Sequence, residues 1–122
     1  MTVKTLKEIL DAEIISGEEL LDTEVFTACG SDMMSDVLAF VKEQAVMLTG
    51  LVNPQAVRTA EMMDMKCIVF VRGKQPTADI AALAKQKDIV LLGTRREMFT
   101  ACGLLYANGL RGASDMKAGQ QG

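Results

Sequence analysis

The sequence predicts an α/β fold: a single three-layer-like domain with a mainly parallel sheet flanked by helices. Three short, almost wholly apolar runs, AVMLTG, CIVFV and DIVLLG, carry that prediction, because strands covered on both faces read as continuous hydrophobic segments. Each run is followed by a segment with helix-start signals, and right-handed crossovers place strands that alternate with helices in one parallel sheet. With 122 residues and no long linker or internal repeat, the chain has room for one core and not for two.

The first helix is expected over residues 3–12, with Leu6, Ile9 and Leu10 on one face. Residues 13–16 (EIIS) read as a strand, Gly17 as a turn, and residues 24–29 as a second strand. From there Met33, Met34, Val37, Leu38 and Val41 recur with helical period, and Ser31 or Asp32 is the candidate N-cap. After AVMLTG, Asn53-Pro54 supplies an N-cap and a proline at the first helical position, with Val52 and Val57 spaced as a hydrophobic staple. Thr77 is placed to cap the next helix, whose inner face is Ile80, Leu83 and Ala84. Thr94 to Glu97 (TRRE) has the form of a capping box, followed by Met98, Ala101, Cys102 and Leu105 on one face. Gly109 is suited to end that helix in the left-handed conformation, folding Leu110 back toward Leu105. The domain is expected over residues 1–110, and the small, polar stretch 111–122 is expected to be a flexible tail.

Composition narrows the function. A net charge of −3 and a pI near 4.9 argue against nucleic acid as the main partner, since neutralising phosphates needs a basic face. No apolar run approaches the roughly 20 residues of a membrane span, and MTVKTLKEIL lacks the apolar stretch of a signal peptide, so a cytoplasmic protein is expected. Three cysteines at long spacings, Cys29, Cys67 and Cys102, fit reduced thiols better than a disulfide framework. Histidine is absent, which removes His-based triads, Cys-His dyads and most zinc or non-haem iron sites. No metal site or resident cofactor is expected, although Mg²⁺ or a nucleotide fits the residues present. The nine methionines are expected mainly in the core, some of them at a self-association surface.

Two regions are candidates for chemistry. In CGSDMMSDVLAFV (residues 29–41) the pair Ser-Asp occurs twice, so that Asp32 and Asp36 stand one helical turn apart. Two carboxylates without a third ligand make a poor transition-metal site, whereas Ser and Asp are favoured where a helix begins; the helix-start reading is preferred, with Mg²⁺ the open alternative. Cys29, at a strand end before a helix, is the one thiol in a position to be reactive. Cys67 and Cys102 fall on apolar patterns and read as core. The second region is the set of βα loops, which a parallel sheet gathers at one edge. They hold Thr49, Asn53, Arg72, Lys74, Thr94, Arg95 and Arg96, a rim suited to phosphate or a nucleotide, or else a set of solvated charges and caps. Gly73-Lys74 is not a Walker motif: Gln75 follows, and the upstream glycine is missing.

The stretch GEELLDTEVFTACGSDMMSDVLAFV, a strand ending in Thr-Gly, the Asn-Pro pair and a later strand–Arg-Gly-Lys turn together resemble the DRTGG-domain family, over about residues 4–109. Of the short signature behind that name Asp22 is in place, but Thr23 stands where arginine is expected, and Phe26-Thr27-Ala28 falls where the threonine and glycines would lie. The resemblance marks Asp22, Ser31, Asp32, Ser35 and Asp36 as family positions without implying their role; joined with the helix-start reading, it leads to the expectation that Asp32 or Asp36 holds loop backbone near a ligand or a dimer interface. It implies a domain related to the N-terminal domain of HPr kinase/phosphorylase, regulatory, homodimeric and non-catalytic, here without any kinase domain. The rival expectations are a small enzyme using Cys29 or the Asp32/Asp36 pair on a phosphorylated substrate, and a subunit that binds only another protein.

Overall fold

The computed structural model describes residues 1–40 and 44–112, so Val41 and nearly all of the expected tail lie outside the described residues. Helix α1 (Val3–Ile9) is capped by the Thr2 hydroxyl, which accepts from the Thr5 N–H at 3.2 Å. It stops short of residue 12 because Asp11 turns left-handed (φ 49°); the Ala12 N–H then reaches the Lys7 carbonyl and the Asp11 N–H that of Glu8. Strand β1 (Glu13–Ser16) follows, then Gly17 (φ 88°), where a Cβ would stand 3.0 Å from Val90 Cα, and a 3₁₀ turn (Glu18–Leu20). Residues 24–26 are not yet strand: Glu24 bridges Thr2 and the Val25 N–H bonds the Met1 carbonyl, so β2 covers only Thr27–Gly30.

The remaining units alternate as expected: α2 (Met34–Phe40), β3 (Ala45–Thr49), α3 (Pro54–Met62), β4 (Cys67–Phe70), α4 (Ala78–Gln86), β5 (Val90–Gly93) and α5 (Met98–Ala107). The sheet order is β1-β5-β4-β3-β2, with β2 to β5 parallel and β1 antiparallel to β5. Strand alternation divides the core into two. Val46, Leu48, Val69, Val90 and Leu92 face α1 and α5, against Val3, Leu6, Ala101 and Leu105. Met47, Ile68, Phe70 and Leu91 face α2, α3 and α4, against Val37, Val57, Ala60 and Ile80. Three layers result, each fully buried Leu, Ile, Val or Phe side chain contributing about 1.5–3 kcal/mol. Of the methionines, Met34, Met47 and Met65 are core, whereas Met33 and Met62 are exposed, so the core reading of this residue type holds only in part.

The ends of α1, α3, α4 and α5 share one device. α3 closes through Asp64 and α4 through Asp88, both left-handed like Asp11, and α5 closes through Gly109 (φ 104°) with the Leu110 N–H on the Leu105 carbonyl. The glycine was legible; the three aspartates were not. Two expected caps change. Thr77 and Glu97 precede α4 and α5 but make no side-chain cap bond, and α5 begins at Met98, so Thr94 is not the Ncap of a capping box. Asn53 does cap α3, its Oδ1 accepting from the Ala56 N–H at 3.3 Å. Beyond α5, the chain at Arg111 lies along the outer edge of β2, bridged to Thr27. None of the described helices is long and apolar enough to cross a membrane.

Candidate functional site

The carboxyl ends of β2, β3, β4 and β5 carry the loops 31–33, 50–53, 71–77 and 94–97 to one edge of the sheet. Antiparallel β1 brings its opposite end there, because Glu13 pairs with Gly93. The α1–β1 turn thus joins a rim that the sequence assigned to βα loops alone.

On the β3 side the polar residues satisfy one another and the backbone. The Asp32 carboxylate does not cap α2; its Oδ1 accepts from the Gly50 N–H at 2.7 Å and the Thr49 hydroxyl at 3.1 Å. Thr49 is fully buried, and its oxygen also accepts from the Leu51 N–H. Ser31 takes the local role, accepting from the Met33 N–H at 3.0 Å. Asp36 stands in the first turn of α2, while Ser35 and Asp22 are exposed, Asp22 in the turn before β2. The repeated Ser-Asp pairs therefore do different work: Asp32 ties the β3–α3 loop to β2, and Asp36 begins a helix. They do not converge on one ligand. Among the described residues no group of three His, Cys, Asp or Glu is arranged to hold a metal.

On the β4 and β5 side backbone and side chains divide the labour. Thr94 is buried; its hydroxyl donates to the Leu10 carbonyl at 2.8 Å, and its oxygen accepts from the Arg96 N–H. The Arg72 N–H donates to the Arg96 carbonyl and the Gly73 N–H to the Thr94 carbonyl, both at 2.9 Å, pinning one loop on the other. Arg72 (φ 60°) is left-handed without the short polar side chain that makes this tolerable in aspartate. Its guanidinium lies against Gly50, where a Cβ would stand 2.7 Å from Nη2. Gly50 is thus a site residue for lack of a side chain.

Arg72, Lys74, Arg95 and Arg96 are exposed, and among the described residues the ion pairs Met1–Glu24, Lys66–Asp64 and Lys87–Glu61 involve none of them. They do not form one cluster. Arg95 and Arg96, with Gly73, Gln75, Gly93 and Thr94, line an open cleft of about 730 Å³ whose far wall is Leu10 to Glu13. Arg72 borders a smaller hollow of about 410 Å³ with Asp32, Glu97 and Phe99. Lys74 lines neither. Of the expected rim, Thr49, Asn53 and Thr94 are occupied inside the protein, and Arg72, Arg95 and Arg96 remain for a ligand. Asp11 and Glu13 were not read as site residues, since their place depends on the antiparallel addition of β1; Gln75 lies in an expected βα loop but was not singled out.

The thiols are poor nucleophiles. Burial, then the nearby Cys102 and Asp36, raises Cys29 above the ordinary thiol range. Burial raises Cys102 as well, and pushes the wholly enclosed Cys67 far up. Cys29 packs on the α2/α3/α4 face and Cys102 on the α1/α5 face.

No curated protein matches the chain. Among solved structures it resembles the CBS and DRTGG domains of the regulatory region of Clostridium perfringens pyrophosphatase, complexed with the activator diadenosine tetraphosphate, with a TM-score of 0.68 and 19% identity. The match covers 85% of this chain and 45% of that one, so this chain spans less than half the length of its structural relative. At such identity the likeness concerns the fold. The family model of the DRTGG domain matches residues 5–107, nearly the whole α/β unit just described, and the chain belongs to the DRTGG domain family.

Proposed function

We propose that this chain is a non-catalytic, cytoplasmic regulatory module that self-associates and senses a nucleotide or another anionic ligand at the loop edge of its sheet. The observation that carries the reading is the set of exposed guanidinium groups at that edge, Arg72, Arg95 and Arg96, without an ion-pair partner among the described residues. Open α/β sheets bind ligands at this edge, and planar guanidinium groups bind phosphates through paired hydrogen bonds. The regulatory region of the pyrophosphatase, which shares the fold, is complexed with a nucleotide activator and offers a precedent. Exposed Phe99 and Tyr106 on α5, with 88% and 53% of their surface in solvent, favour the self-association part. Against the enzyme reading stand the raised Cys29 thiol and the engagement of Asp32 with loop backbone.

The test is thermal unfolding of the purified protein with adenine and guanine nucleotides, diadenosine tetraphosphate, phosphate and Mg²⁺. A ligand at a hundred times its Kd adds about 2.7 kcal/mol, several degrees for a domain of this size. The expected result is a selective shift with a nucleotide, abolished in the Arg95→Ala/Arg96→Ala double variant. No shift with any of them overturns the sensing reading in favour of a protein-interaction subunit. Sedimentation equilibrium tests self-association separately: a monomer at tens of micromolar would remove it.

A further inference from the structure

The 730 Å³ cleft has walls of opposite charge. Arg95 and Arg96 approach from the β5–α5 loop, Asp11 and Glu13 from the α1–β1 turn. Among the described residues no ion pair joins the two walls, so the charges stand more than 4.0 Å apart across open space. The separation is built in. The buried Thr94–Leu10 bond and the Glu13–Gly93 strand pairing fix the two walls at the end of a rigid sheet. The floor is glycine at Gly73 and Gly93, and the Gln75 amide reaches over it, 3.5 Å from where a Gly93 Cβ would be. The volume lies within the range of small-molecule sites, roughly 300–1,000 Å³.

A bare anion is a poor match for this cleft, because the wall opposite the arginines carries the acidic residues Asp11 and Glu13. A ligand with an anionic group at one end and hydrogen-bond donors at the other satisfies both walls. We infer that the cleft takes a nucleoside phosphate lengthwise, its phosphate on Arg95 and Arg96 and its amino or ribose hydroxyl donors on Asp11 and Glu13, which act as the specificity-determining residues. This inference rests on the sensing reading and narrows it. It predicts opposite signs: neutralising the two carboxylates weakens a nucleoside phosphate, whose donors then meet weaker, uncharged acceptors, and tightens inorganic phosphate, which loses only repulsion.

The experiment is titration calorimetry of the full chain with AMP, GMP and inorganic phosphate, comparing wild type, Asp11→Asn/Glu13→Gln and Arg95→Ala/Arg96→Ala. Asparagine tolerates the left-handed backbone at position 11, and an unchanged melting temperature verifies that the first variant folds. The expected result is that one nucleotide binds wild type, is weakened about tenfold in Asp11→Asn/Glu13→Gln, and is lost in Arg95→Ala/Arg96→Ala, while phosphate binds the first variant as well or better. Nucleotide binding that is unchanged or tighter in Asp11→Asn/Glu13→Gln, yet lost in Arg95→Ala/Arg96→Ala, overturns this inference and leaves anion sensing standing. Equal weakening of nucleotide and phosphate in Asp11→Asn/Glu13→Gln also overturns it, since the carboxylates would then only support the fold. Absence of binding by all three probes to wild type overturns this inference, while the sensing reading is decided by the wider panel of the unfolding test.

Discussion

The two halves of the loop edge both carry several polar residues, but of different types, and they behave oppositely. Around β3 the polar groups are short, and Asp32, Thr49 and Asn53 each bond backbone within their own or the next loop. Around β4 and β5 only Thr94 does so; Lys74, Arg95 and Arg96 are exposed, and the exposed Arg72 rests its guanidinium against Gly50. A short side chain has its oxygen one or two bonds from Cβ and meets the nearest free N–H, as at caps and turns. Arginine and lysine carry their charge at the end of a flexible stem, clear of the backbone, and keep it for a partner. In a row of strand-end residues, side-chain reach separates what maintains the loops from what can serve a ligand.

Four variants bear on that contrast, from the largest expected effect to the smallest. Thr94→Val removes a buried hydroxyl and strands the Leu10 carbonyl, for a loss of about 2 kcal/mol in urea unfolding. A change below about 0.5 kcal/mol would mean that the α1–β1 turn is held by other contacts. Asp32→Ala frees the Gly50 N–H and the Thr49 hydroxyl near the surface, and about 1 kcal/mol should be lost. Asp88→Gly relieves a left-handed backbone away from the loop edge and should add about 0.5 kcal/mol, showing that the Asp helix ends are tolerated rather than optimal. Alanine at Arg72, Arg95 and Arg96 together should change stability by no more than about 0.5 kcal/mol while removing any ligand-induced shift. A large loss there would erase the difference between the two halves. In parallel, alkylation of Cys29 near neutral pH should run slower than that of a free thiol and accelerate as pH rises, because its raised pKa keeps the thiolate scarce. Rapid labelling at neutral pH would revive the enzyme reading.

How far the sequence was legible follows the same physics. β3, β4 and β5 stood out because burial on both faces leaves no polar interruption. Asn53-Pro54 and Gly109 were readable because the geometry they serve lies within a few residues. TRRE failed as a capping box although its pattern fits: Thr94 found a buried carbonyl on Leu10, 84 residues away, and a tertiary bond displaced the local one. Asp32 was misplaced as a helix cap for the same reason, its partner being the loop after the neighbouring strand. The second wall of the cleft was invisible because nothing within EIIS states that it pairs antiparallel with the last strand.

That pairing also sets an order of events. β3, β4 and β5 each lie beside the strand made just before them, so the parallel sheet that starts at β2 can grow as the chain lengthens. The first strand has no such neighbour; its partner is the last strand to be made. On a ribosome α1 and β1 emerge first and must wait for β5, their apolar residues Val3, Leu6 and Leu10 uncovered until the far side of the domain exists. The wall of the cleft built from the α1–β1 turn is complete only when β1 pairs with β5, the two strands most distant in sequence.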